Sequence, residues 1–208
     1  MIEQDFQYFI ESLIKAAENM DAHYFQLPIA KKDDPIYRER VYCYELYHQL
    51  RCMLGNNFPY KLCGEVDKRG HPIIRDVKPD FIIHKPGDMK YNLAAIEVKP
   101  VTVKGRLDRL RKDLNTLKYL LNEAGYYGAI MLIYGNDNGD LPENIKQEIK
   151  NIDDSRIVVL WHYEPNKKPK IIKVTPPNIR YAVCYRSPKC SAKPRTSHTR
   201  RTLGEIYG

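Results

Sequence analysis

Between residues 2 and 20, Ile2, Phe6, Phe9, Ile10, Leu13, Ile14 and Ala17 recur at three- and four-residue steps, which predicts an amphipathic opening helix. The polar run KKDDPI at 31–36 breaks that pattern. A second helix is predicted from about Pro35 to Leu54, with proline near its first turn and Gly55 just past its end. Three strand-like segments follow in succession: Tyr60 to Val66, PDFIIH at 79–84 and LAAIEVKPV at 93–101, the last two separated by the turn-forming KPGDMKYN. From about Lys104 to Asn122, the leucines 107, 110, 114, 117 and 121 form one apolar stripe of a helix. Gly125 closes it, and GAIMLIYG at 128–135 is apolar enough to be a strand covered on both faces. A helix at 141–151 and a strand, RIVVLWHY at 156–163, complete the patterned part. Three strands in a row predict a meander, and a strand reached through a helix predicts a crossover in the same sheet. The fold class is therefore α/β: one mixed central sheet flanked by helices.

Beyond residue 164 the pattern fades. Residues 165–180 hold one candidate edge strand, and 186–208 are almost without apolar side chains until their end, which reads as a disordered tail. The division is thus a single domain over 1–164 and a C-terminal extension over 165–208. Charge follows the same division. The chain carries 34 basic and 26 acidic residues, a net +8, and such an excess points to an anionic partner, nucleic acid before membrane. Residues 165–208 hold eleven basic residues against Glu205 alone, whereas 1–164 hold 23 basic and 25 acidic. A nearly neutral core thus carries a strongly basic extension.

Other classes are excluded by composition. An apolar content of 43% with 29% charged residues argues against whole-chain disorder, and 208 residues suffice to bury a core without disulfides or structural metal. No apolar run reaches the roughly 18 residues of a membrane span, and the acidic, amphipathic N-terminal segment is no secretory signal. The five cysteines are odd in number and contain no CxxC pair, which argues against a zinc ribbon or disulfide framework. Cys43 and Cys52 fall in an apolar helical pattern and read as small core residues, so the expectation is a reduced, cytoplasmic protein.

The chemistry concentrates at strand ends. Asp80 opens one strand behind Pro79, and Glu97 lies inside the next as Ile96-Glu97-Val98-Lys99. Alternation along a strand sends Glu97 and Lys99 to one face and Ile96 and Val98 to the other. Two readings are open: the Glu97 and Lys99 charges pair on a solvated face, or they serve a site. The apolar flanks favour the second, because an unpaired glutamate in an interior strand is costly. Carboxylates converging from adjacent strands, with a backbone carbonyl between Glu97 and Lys99, make a hard oxygen site suited to Mg2+ or Mn2+.

Pro79-Asp80 followed by Glu97-Val98-Lys99, within this element order, resembles the PD-(D/E)XK nuclease superfamily over roughly residues 38–135. The resemblance implies a restriction-endonuclease-like fold and hydrolysis of DNA phosphodiester bonds. Asp80 and Glu97 would bind the catalytic Mg2+ or Mn2+ with the Val98 carbonyl, and Lys99 would orient or help deprotonate the attacking water. A further glutamate on the helix before the sheet is expected; Glu45 takes that place, and Glu65 competes for it. His48 and Gln49 lie one turn beyond Glu45, and His48 reads as a partly buried histidine. Tyr42, Tyr44 and Tyr47 read as packing residues.

Lys104, Arg106, Arg109, Arg111 and Lys112 crowd the start of the leucine-striped helix just after the motif and are candidate contacts to a nucleic-acid backbone. A homodimer with two sites facing two strands is compatible with such an enzyme. The alternative function is a non-catalytic nucleic-acid-binding or scaffold protein on the same fold.

Overall fold

The computed structural model describes residues 1–31, 35–65, 77–101, 107–135 and 139–173. In chain order its elements are α1 (Ile2–Glu18), α2 (Ala22–Phe25), α3 (Glu39–Leu54), β1 (Lys61–Gly64), β2 (Phe81–His84), β3 (Asn92–Pro100), α4 (Leu107–Glu123), β4 (Gly128–Tyr134), α5 (Glu143–Lys150), β5 (Ile157–His162) and β6 (Lys170–Lys173), with a single 3-10 turn at Met89–Tyr91. The six strands form one sheet in the order β1-β2-β3-β4-β5-β6. β1, β2 and β3 run antiparallel as the expected meander; β3, β4 and β5 are parallel, with β4 and β5 each reached through a helix; β6 returns antiparallel. The sheet is mixed and flanked by helices, as the patterning predicts.

Strand alternation divides the apolar residues into two cores. Ile96 and Val98 of β3 face α1, α2 and α3 together with Ile130, Leu132, Val158 and Leu160. Ala95 points the other way, toward the leucines of α4 and the isoleucines of α5, with Met131, Ile133, Val159 and Trp161. β4 is buried at every position because both of its faces are covered. At the end of β4, Gly135 meets the Val101 side chain so closely that a Cβ there would collide with it, which lets the chain leaving β3 cross against the sheet.

Several local features differ from the pattern. α3 starts at Glu39 rather than Pro35, because Ile36 is held in a bridge with Leu27 through two backbone hydrogen bonds of 2.9 Å. The short α2 forms where the Asp21 carboxylate caps the His23 N–H at 2.7 Å, a signal lost in a segment without periodicity. Cys43, Cys52 and Cys63 are free thiols, but only Cys43 is a core residue; Cys52 is exposed, since nine residues turn a helix by about half a revolution. The candidate edge strand is β6. The rest of the extension, including 186–208 with Cys184 and Cys190, lies outside the described residues. Among the described residues no helix is long and apolar enough to cross a membrane.

Candidate functional site

β3 outruns β2. Phe81, the first residue of β2, pairs with Ile96, so residues 97–100 of β3 have no β2 partner and border a notch at the sheet end. Asp80 stands at the mouth of β2 and fills part of this notch. Its Oδ2 accepts a hydrogen bond of 2.7 Å from the Val98 N–H, a backbone donor that β2 would otherwise have taken. A strand residue turns its N–H and C=O to the same side, so the Val98 carbonyl opens on the notch as well. By alternation with Ile82 and Ala95, the Asp80, Glu97 and Lys99 side chains share the face covered by α4.

The Asp80 and Glu97 carboxyl groups are near enough to act on one another's ionisation. Glu97 is only 6% exposed, and burial, reinforced by Asp80 and Asp113, drives its carboxyl far above the ordinary range. Asp80 is raised as well, again by burial first, against the lowering effect of the Val98 N–H. Both shifts favour the protonated form, most strongly at Glu97. The donor set of two carboxylates and one carbonyl fits Mg2+ or Mn2+, which commonly bind through one or two carboxylates and keep several waters. No three His, Cys, Asp or Glu side chains among the described residues converge as an all-protein cage would require.

Lys99 lies next to this pair between two further acids. Its Nζ donates to Glu39 Oε2 at 2.9 Å and stands 2.9 Å from Asp113 Oδ2, the latter off the line of a hydrogen bond. Burial works against the ammonium, but Asp113 and Glu39 outweigh it and hold the lysine charged well above its ordinary range. Glu39 comes from α3 and Asp113 from α4, helices on opposite faces of the sheet, and Lys99 ties them together at the notch.

The structure thus brings together Asp80, Glu97, Val98 and Lys99 of the expected set. Glu45 is not joined to them. It lies about 120° around α3 from Glu39, off the buried line of Tyr42, Cys43, Leu46 and Leu50, and its carboxylate accepts from Gln49 at 2.6 Å. Glu65 neighbours Asp80 through the backbone, its N–H donating to the Asp80 carbonyl at 2.9 Å. Its carboxylate is instead taken up by Lys78 at 2.9 Å and Arg40 at 3.1 Å, which hold it below the ordinary range. Glu39 and Asp113, two acids that the sequence reading missed, are the ones that stand at Lys99. Both had a detectable signal, an acid set on the apolar arc of an amphipathic helix.

Arg109 and Lys112 are exposed on α4, whereas Arg111 is held in a two-point pair with Glu148, its Nε donating at 3.0 Å. Lys104 and Arg106 lie outside the described residues. Tyr42 stacks on Tyr134 with ring centroids 3.9 Å apart, and Tyr47 packs against Phe81. Tyr44 departs from the packing reading and is 64% exposed. His48 is exposed too, with its Nε2 4.0 Å from Cys52 Sγ. No family model matches the chain, and no curated protein matches it.

Proposed function

We propose that the protein is a metal-dependent nuclease of the PD-(D/E)XK kind, on a restriction-endonuclease-like fold, that hydrolyses DNA phosphodiester bonds at the notch. The observation that carries this reading is the convergence of the half-buried Asp80 and the buried Glu97 carboxyl groups beside the Lys99 ammonium. Asp80, Glu97 and the Val98 carbonyl would hold Mg2+ or Mn2+, which supplies a bound water of lowered pKa and neutralises charge on the phosphate. Lys99 offers a compact cation for a phosphate oxygen or for orienting the attacking water. Glu39 and Asp113 hold its ammonium over the notch, while the Val98 N–H fixes the angle of Asp80.

A second reading has its own observation. Lys99 is already spanned by two carboxylates, as it would be in a scaffold whose notch charges serve only to join α3 and α4. Incubating the protein with plasmid and single-stranded DNA in Mg2+ or Mn2+, against an EDTA control, separates the two. Cleavage that needs the metal and falls by about 100-fold or more in Asp80→Ala and Lys99→Ala supports the nuclease. Equal cleavage by wild type and variants removes the site, and a mobility shift without cleavage in any metal favours the scaffold.

A further inference from the structure

Away from the notch, α3 turns a second face to solvent. Arg40, Tyr44, His48 and Arg51 fall within about 80° of arc, opposite the buried line of Tyr42, Leu46 and Leu50. From Arg40 to Arg51 the row is about 16 Å long at 1.5 Å per residue, room for a few nucleotides. No acid lies within this arc, since Glu45 stands to one side of it and is bonded to Gln49. The row starts at the site: Arg40 follows Glu39, which holds Lys99, and pairs with Glu65, whose backbone joins Asp80. Lys78 pairs with the same Glu65 carboxylate, so the three-membered cluster of Arg40, Lys78 and Glu65 carries one cation in excess. At the far end, Arg51 makes no ion pair among the described residues.

Tyr44 is the residue that packing does not explain. At 64% exposure its ring is the most open of the aromatic side chains in the described residues, and it sits one turn from Arg40. His48 adds a second flat ring one turn further on. Guanidinium groups at each end of two exposed rings match phosphates flanking unstacked bases, because base faces stack on aromatic rings while arginine takes the backbone. A duplex hides those faces in its own stack, so it could use the arginines but not the rings.

We propose that the outer face of α3 is a track for single-stranded nucleic acid leading to the notch, with Tyr44 and His48 as base platforms and Arg40 and Arg51 as phosphate contacts. The proposal rests on reading the notch as a phosphodiester site, and it narrows the substrate to single strands or single-stranded ends.

The test is fluorescence anisotropy of a labelled oligothymidine and of a labelled hairpin duplex on the full chain, in EDTA so that nothing is cut. Tyr44→Ala should weaken oligothymidine binding by about ten-fold and duplex binding by less than about two-fold, whereas Arg51→Ala should weaken both. Tyr44→Phe should bind the oligothymidine as wild type does, because the ring and not the hydroxyl is used. Equal losses on both nucleic acids from Tyr44→Ala, or no loss on the oligothymidine, would overturn the track. Metal-dependent cleavage with Tyr44→Ala binding unchanged sinks the track and leaves the nuclease reading. Tyr44-dependent binding by a protein that cleaves nothing does the reverse.

Discussion

Glu97 is buried to 6% exposure, and burial disfavours the charged form of its carboxyl. That preference sets a pH dependence with a definite sign. In the unfolded chain a glutamate titrates near about 4.3, whereas in the folded protein burial and Asp80 push Glu97 up to about 9. The folded state therefore holds the extra proton between those values, and its stability is full at the acid end and lost as pH rises through the upper one. Metal-free protein should melt at a progressively lower temperature from pH 6 to pH 9 in EDTA. Glu97→Gln, which can donate to Asp80 without titrating, should flatten that slope, and Mg2+ should restore the wild type at alkaline pH while doing little for the variant. A melting temperature independent of pH in metal-free wild type would show that Glu97 does not hold the proton. Asp80, Glu97 and Lys99 were legible in the sequence because a strand's two-residue period fixes which side chains travel together. Glu39 had only the weaker signal of an acid on the apolar arc of a helix, and its meeting with Lys99 depends on how α3 packs against the sheet.

Elements position these residues by ending at different places. β2 stops short of β3, Val101 crosses against Gly135, and Lys99 links α3 to α4. Gly135→Ala tests that close passage. The added methyl would force Val101 outward two residues beyond Lys99, with a cost of about 1–3 kcal/mol for an overpacked contact. The urea midpoint should fall with no change in slope; a midpoint equal to wild type would show that Val101 gives way freely. Helices and strands were visible as periods of apolar residues, but their relative lengths were not. Whether a strand ends one or two residues early depends on which backbone groups find partners, and here a side chain, Asp80, supplies one.

At the scale of the whole chain, charge and chemistry occupy different regions. The notch belongs to residues 39–113, while eleven of the 34 basic residues lie in 165–208. We expect the extension to supply affinity that is independent of sequence and screened by salt, through release of counterions from phosphates. Deleting 186–208, which removes Arg186, Lys189, Lys193, Arg195, Arg200 and Arg201, should weaken DNA binding and flatten the plot of log affinity against log salt. An unchanged salt slope would refute that division. The strand order carries a separate consequence for how the molecule is made. Because neighbours in the sheet are also neighbours in the chain, the sheet can grow from one edge during synthesis, and no strand has to be threaded between two already joined. Asp113 is the last of the notch residues and precedes β4, so every group of the notch has left the ribosome before the central parallel pairing begins.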